Sequence, residues 1–220
     1  MKQTDYELLI DETEIFVKQQ LSGAEGGHDW WHGYRVWKTA QKIAEAENAD
    51  RLVVNLASLL HDIADAKFFG GDEEIGPARA KSFLESHDVH QEVIDHVLNI
   101  IRNMSFKSSF GQVDFRSKEM EVVQDADRLD AMGAIGIARA FNYGGYKNRP
   151  MYDPAIPPNL QMSKEEYKQG LSPSINHFYE KLLLLKDRMN TESGKRMAGE
   201  RHRFMEKFLE RFYREWDGEV

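Results

Sequence analysis

The sequence predicts an all-α fold, and three observations carry that expectation. Apolar residues recur at helical offsets along most of the chain, no segment alternates apolar and polar residues long enough to demand a strand, and Gly, Pro, Asn and Asp clusters punctuate the periodic stretches. At 220 residues with 41% hydrophobic and 11% aromatic content, the chain can bury one main core, so its 30% charged residues coat a folded domain rather than signalling disorder.

The elements follow in order. Tyr6, Leu9, Ile10, Phe16 and Val17 predict a first helix from Tyr6 to Leu21, with Thr4 or Asp5 as its cap. SGAEGGHD interrupts, and Asp29 is placed to cap a second helix from about Trp30 to Glu47 whose inner side carries His32, Val36, Ile43 and Ala44. Asp50 caps RLVVNLASLLHDIADAK, whose apolar stripe is too wide for a surface helix and predicts a central one. The acidic DEE ahead of ARAKSFLESH suits the start of a fourth helix, and Asp88 is the expected cap of a fifth, lined by Val89, Val93, Val97, Ile100 and Met104.

SFKSSFGQVDFRS lacks any period and reads as a loop. KEMEVVQDADRLDAMGAIGIARAFN reads as one long buried helix, its glycines allowing close helix contacts. YGGYKNRPMYDPAIPP, with four of the six prolines, reads as a loop; Ser172-Pro173 opens a helix through Lys186. TESGKRMAGERHRFMEKFLERFYREW forms a last helix with Phe204, Phe208, Leu209, Phe212 and Trp216 along its apolar stripe.

Composition also excludes function classes. A net charge of −8 argues against a nucleic-acid polymer as partner, because that affinity rests on a basic face that displaces counterions, while a small phosphorylated ligand needs only a local basic pocket. With no cysteine, thiolate metal sites and cysteine nucleophiles are out, so a metal would rely on His and carboxylates. The acidic amphipathic N-terminus does not resemble a secretory signal, and every dense apolar run is cut by charge, so no membrane association and a cytoplasmic setting are expected.

The pair His61-Asp62, inside or at the end of an otherwise apolar helix, is the feature that points to chemistry. Two adjacent titratable groups there lose solvation unless something compensates, and a cation would compensate both. His32 lies on the apolar side of its helix, and the QDADRLDA aspartates, Asp127 among them, interrupt another. Two imidazoles and two carboxylates suit one divalent ion with open positions, drawn from Mn, Ni, Co, Fe, Mg and Zn.

His32 followed by Arg35-Val36, then LLHDIADAK, then QDADRLDAMGAIGIAR resembles the H, HD, D signature of the HD-domain superfamily, and closely its YpgQ/YedJ-like bacterial branch. The resemblance extends over nearly the whole chain, from HDWWHGYRV to TESGKRMAGERHRFMEKFL. It implies a single HD-type domain over residues 1–220, with a core of about 24–142 and C-terminal helices of about 172–217 packing on it. It also implies that His32, His61, Asp62 and Asp127 hold the metal, with Asp127 taken over Asp125 and Asp130 because it is the aspartate of the ADRL segment. Helical spacing puts Asp125 on another side and Asp130 beside Asp127, as a candidate supporting group.

The implied activity is metal-dependent phosphohydrolysis, on a nucleoside or deoxynucleoside triphosphate with pyrophosphate release. Asp65, one turn from the HD pair, is the candidate general base or water-orienting group beside the catalytic Asp62. Arg35, Lys67, Lys107, Arg128, Tyr146 and Lys147 are the candidate substrate-binding residues, with Arg102 and Arg149 as further cations. His28 could touch the cleft or stabilise its loop. His87, His90 and His96 do not form a convincing second-metal set. The rivals are a nucleotide-sensing or partner-binding module with a structural metal, and a di-iron oxygenase. The terminal amphipathic helices suit packing within the monomer or across a homodimer interface.

Overall fold

The computed structural model describes residues 3–23, 29–64, 72–104, 115–160 and 172–220. Among these the chain is all-α, without a strand. The elements are α1 (Gln3–Gln20), α2 (Trp30–Glu47), α3 (Arg51–Leu60), α4 (Ile75–Ser86), α5 (Gln91–Asn103), α6 (Lys118–Asp130), α7 (Gly133–Tyr146), α8 (Asn176–Glu180), a 3-10 helix (Leu182–Arg188) and α9 (Glu192–Trp216). They group into two compact units, residues 1–127 and 128–220, with the boundary inside α6.

In the first unit α3 is the hub, packed on by α1, α2 and α5, while α4 packs on α5. Every residue from Val53 to Leu60 is buried, as the wide apolar stripe requires. Each wholly buried Leu among them contributes about 1.5–3 kcal/mol. Asp50 caps α3 by accepting from the amides of Leu52 (2.8 Å) and Val53 (3.2 Å). Of the two buried polar side chains of α3, Ser58 donates to the Asn55 carbonyl (3.2 Å), and Asn55 accepts from Trp37 Nε1 (2.6 Å) and Gln41 Nε2 (3.0 Å) of α2 and donates to the Tyr6 hydroxyl of α1. One amide thus ties three helices together.

The start of α6 is moored to the turn between α2 and α3. Lys118 Nζ reaches the carbonyls of Glu47 (3.1 Å) and Asn48 (3.4 Å), a cation at the negative end of α2. Glu119 accepts from the Asp50 amide (3.0 Å). His96 of α5 bonds the Ser117 hydroxyl (2.9 Å), and that hydroxyl caps α6 through the Met120 amide. Held there, α6 brings Asp127 near His61, the residue that ends α3.

Several expectations are corrected locally. α1 begins at Gln3, so Thr4 and Asp5 lie in its first turn rather than at its cap. α5 starts after His90, and Asp88 instead takes a left-handed conformation (φ +52°) in the turn before it. The long helix expected over 118–142 is two helices broken at Ala131-Met132. Gly133 has φ +69°, and Gly136 approaches the Ala131 carbonyl so closely that a Cβ would overlap it. The glycines therefore mark a sharp bend, and Gly133 also allows the expected close helix contact, since a Cβ there would lie 3.1 Å from Cγ of Arg201 in α9.

α7 runs on to Tyr146, past the expected start of the loop. The helix expected over 172–186 is a single turn followed by a 3-10 helix, interrupted at Lys181 (φ −145°). In the second unit α9 packs on α7 and on the 3-10 helix. Thr191 caps it by accepting from the Gly194 amide (2.9 Å). Its inner stripe runs through Ala198, Met205 and Leu209; Phe204 and Trp216 are half exposed.

Candidate metal centre

His32 enters the site because of how α2 begins. Asp29 caps the helix by accepting from the His32 amide (2.9 Å), which fixes His32 in the first turn with its ring only 3% exposed. His61 enters because of how α3 ends. It is the C-terminal cap residue, and its Nδ1 lies 2.8 Å from the Ser58 carbonyl one turn back. A carbonyl only accepts, so Nδ1 carries the hydrogen and Nε2 carries the lone pair. That Nε2 is buried and has no hydrogen-bond partner.

The two rings meet edge-on, centroids 5.4 Å apart and 67° between planes. Asp127, in the last turn of α6, brings Oδ1 to 3.4 Å from His32 Nε2. One ligand atom from each of His32, His61 and Asp127 falls within 4.8 Å of the others, the group among the described residues that could hold a metal ion. Asp62 stands beside it, Oδ2 4.0 Å from His32 Nε2. Nitrogen and oxygen ligands about 2.1 Å from a divalent ion lie about 3.0–4.2 Å from one another, so the set needs only a small contraction to close on one.

The fit therefore rests on an orphaned imidazole nitrogen aimed at a second imidazole and a carboxylate, a donor set suited to a divalent cation. Of the neighbouring aspartates, Asp125 is fully buried in α6, and the Asp130 carboxylate pairs with Arg139. Arg201 of α9 donates to the Leu129 carbonyl; burial pushes its pKa down, which the nearby Asp130 opposes. Arg128 donates to the Arg188 carbonyl (2.7 Å). Three arginines thus lock the chain immediately after Asp127.

The other candidate residues divide. Arg35 sits half-buried on α2, one turn from His32. Tyr146 and Lys147 close α7 in the second unit, where Lys147 Nζ lies over the Tyr146 ring at 4.8 Å. Asp65, Lys67, Lys107 and His28 lie outside the described residues. Arg102 pairs with Glu74 (2.8 Å). His87 lies against Phe83 and 3.3 Å from Glu12, His90 is exposed, and His96 is taken up by Ser117 and Glu119. Sequence reasoning missed Ser58, Lys118, Arg139 and Arg201. The first acts through its main chain and the others through contacts remote in sequence, so no local pattern marks them.

Comparison with known proteins places the chain in a family. The HD domain family matches residues 30–132, which span all four candidate ligands. The Bacillus subtilis protein YpgQ is 35% identical over 210 residues, covering 94% of each chain. Among solved structures, an HD-superfamily hydrolase from Bacillus thuringiensis superposes with a TM-score of 0.78 at 46% identity, covering 96% of this chain and 98% of that one. Bacillus subtilis YpgQ in complex with ADP superposes with a TM-score of 0.74 at 34% identity, covering 96% of both. No helix among the described residues is long and apolar enough to cross a membrane. The chain is a member of the HD superfamily of hydrolases, in its YpgQ-like branch.

Proposed function

We propose that this protein is a metal-dependent phosphohydrolase that cleaves a nucleoside or deoxynucleoside triphosphate to the monophosphate and pyrophosphate, with one divalent ion held by His32, His61, Asp62 and Asp127. The observation that carries the reading is the buried, unpartnered Nε2 of His61 facing His32 and Asp127. Leaving such an atom unpaired costs about 1–3 kcal/mol, a cost that a bound cation removes. The ADP held by the Bacillus subtilis relative supports a nucleotide as the substrate class.

When bound, the ion supplies a positive charge that polarises a phosphoryl oxygen and lowers the pKa of water. The chain does the rest. Ser58 holds the His61 ring through Nδ1, and Asp29 holds His32 in the first turn of α2. Asp65, three residues beyond Asp62, is assigned the proton of the attacking water. The water oxygen bonds to the α-phosphorus, the bond to the bridging oxygen breaks, and pyrophosphate leaves with that electron pair. Arg35 is assigned to the phosphate charge, since it lies one helical turn from His32.

The test is a screen of nucleoside triphosphates with the manganese-loaded protein, scoring released pyrophosphate and phosphate, with Asp62→Ala as control. Pyrophosphate release that Asp62→Ala abolishes is expected. Metal binding without hydrolysis of any phosphoester would overturn the proposal in favour of a sensing module. Two irons per chain by elemental analysis would favour oxygenase chemistry.

A further inference from the structure

Three tryptophans lie on α2, and their surroundings differ. Trp37 is buried, donates Nε1 to Asn55 (2.6 Å) and has Lys38 Nζ over its ring at 4.0 Å. Trp30 is half-buried, with Lys18 Nζ of α1 over its ring at 4.7 Å. Burial and a cation on the ring face account for both. Trp31 is 61% exposed, and its ring meets Tyr34, centroids 5.9 Å apart and 80° between planes. An edge-on pair uses at most one face of each ring, so a face of the Trp31 indole is left to solvent.

Exposure alone would not single out one aromatic residue; its place does. At about 100° per residue, Arg35 stands about 60° around α2 from His32, and Trp31 stands about 40° beyond Arg35 in the same direction. Candidate metal ligand, phosphate cation and indole therefore follow one another around the first two turns of the helix. Reacting phosphorus, phosphate oxygens and base follow one another in the same order along a nucleotide. The turn that carries Trp31 is also fixed, because Asp29 accepts from the His32 amide (2.9 Å). A two-torsion indole on a capped helix loses little freedom when a ring is laid on it.

We infer that Trp31 is the platform on which the base of the nucleotide stacks, an assignment that rests on the nucleotide substrate proposed above. It makes Trp31 the residue that selects a nucleotide over an inorganic polyphosphate. Every base has a π-face, so the selection is for a base as such and not for one base among several. Stacking of one base on an aromatic side chain is worth about 5- to 150-fold in affinity.

Titration calorimetry on the manganese-loaded full chain tests this with adenosine diphosphate and inorganic pyrophosphate, which share the diphosphate and differ by the nucleoside. Trp31→Ala is expected to weaken adenosine diphosphate at least about fivefold and pyrophosphate less than about twofold, and Trp31→Phe to restore most of the loss. Adenosine diphosphate should also quench tryptophan fluorescence in the parent, and Trp31→Phe should lose most of that quenching while it still binds. Unchanged affinity for adenosine diphosphate in Trp31→Ala, or no binding of it by the parent, would overturn the inference. Equal weakening of both ligands would overturn it too, since Trp31 would then support the metal and phosphate side chains instead of the base. If Trp31→Ala fails to fold, the quenching in Trp31→Phe decides, and undiminished quenching counts against the platform. Binding needs no turnover, so stacking on Trp31 without hydrolysis of any triphosphate would sustain this inference while the phosphohydrolase reading fails.

Discussion

Replacing His61 with leucine separates a metal ligand from a merely structural histidine. In the metal-free protein the substitution removes the Nδ1–H bond to the Ser58 carbonyl, worth about 1 kcal/mol, and also removes the buried unpartnered Nε2, whose desolvation costs about 1–3 kcal/mol. The two nearly cancel, so the metal-free variant should be as stable as the parent or up to about 2 kcal/mol more stable. For a chain of this size that is a rise of at most about 4–8 °C in Tm. With metal the sign reverses. Manganese at about a hundred times its Kd should stabilise the parent by about 2.7 kcal/mol, and the leucine variant should lose most of that gain. Thermal unfolding in chelator and in manganese measures both. A variant destabilised in chelator by more than about 3 kcal/mol, or one that keeps the full manganese shift, would refute the assignment of Nε2.

Three further outcomes follow from the geometry. Asn55→Leu strands the indole N–H of Trp37 in the core, so urea unfolding should show a loss of about 1–3 kcal/mol or more, with metal affinity less affected than stability. Gly136→Ala places a Cβ into the Ala131 carbonyl at the bend between α6 and α7, and should destabilise by over about 2 kcal/mol in the same assay, whereas Gly145→Ala, where a Cβ meets nothing, should cost under about 1 kcal/mol. His177 has a folded pKa of about 4 against 6.5 unfolded. Between those values the unfolded chain binds more protons, so stability rises with pH. The His177 contribution is complete above about pH 6.5 and is lost as pH falls toward 4, by about 3 kcal/mol in all. His177→Asn should flatten that part of the unfolding-versus-pH curve relative to the parent, and an unchanged difference between pH 7 and pH 4.5 would count against it.

The sequence by itself determined the fold class, the existence and most bounds of α2, α3, α4 and α9, and the polar residues that had to be compensated inside an apolar setting. These are local properties. Helical periodicity, caps such as Asp29, Asp50 and Thr191, and the adjacency of His61 to Asp62 act over a turn or two, so they can be read without a partner. The resemblance singled out Asp127 from three nearby aspartates, and the geometry brings its carboxylate to His32 while Asp125 is fully buried and Asp130 pairs with Arg139.

Only the tertiary structure decided where a helix stops and what its end is for. A period of 3.6 runs through Ala131-Met132 without a break, and the bend appears only where Gly133 and Gly136 fold the backbone onto itself. Likewise the sequence cannot tell that the Ser58 carbonyl turns His61 toward His32, or that Lys118 and Glu119 moor α6 to the turn before α3. Each depends on main-chain groups or on residues far apart along the chain, whose meeting is fixed by packing rather than by any neighbour in sequence.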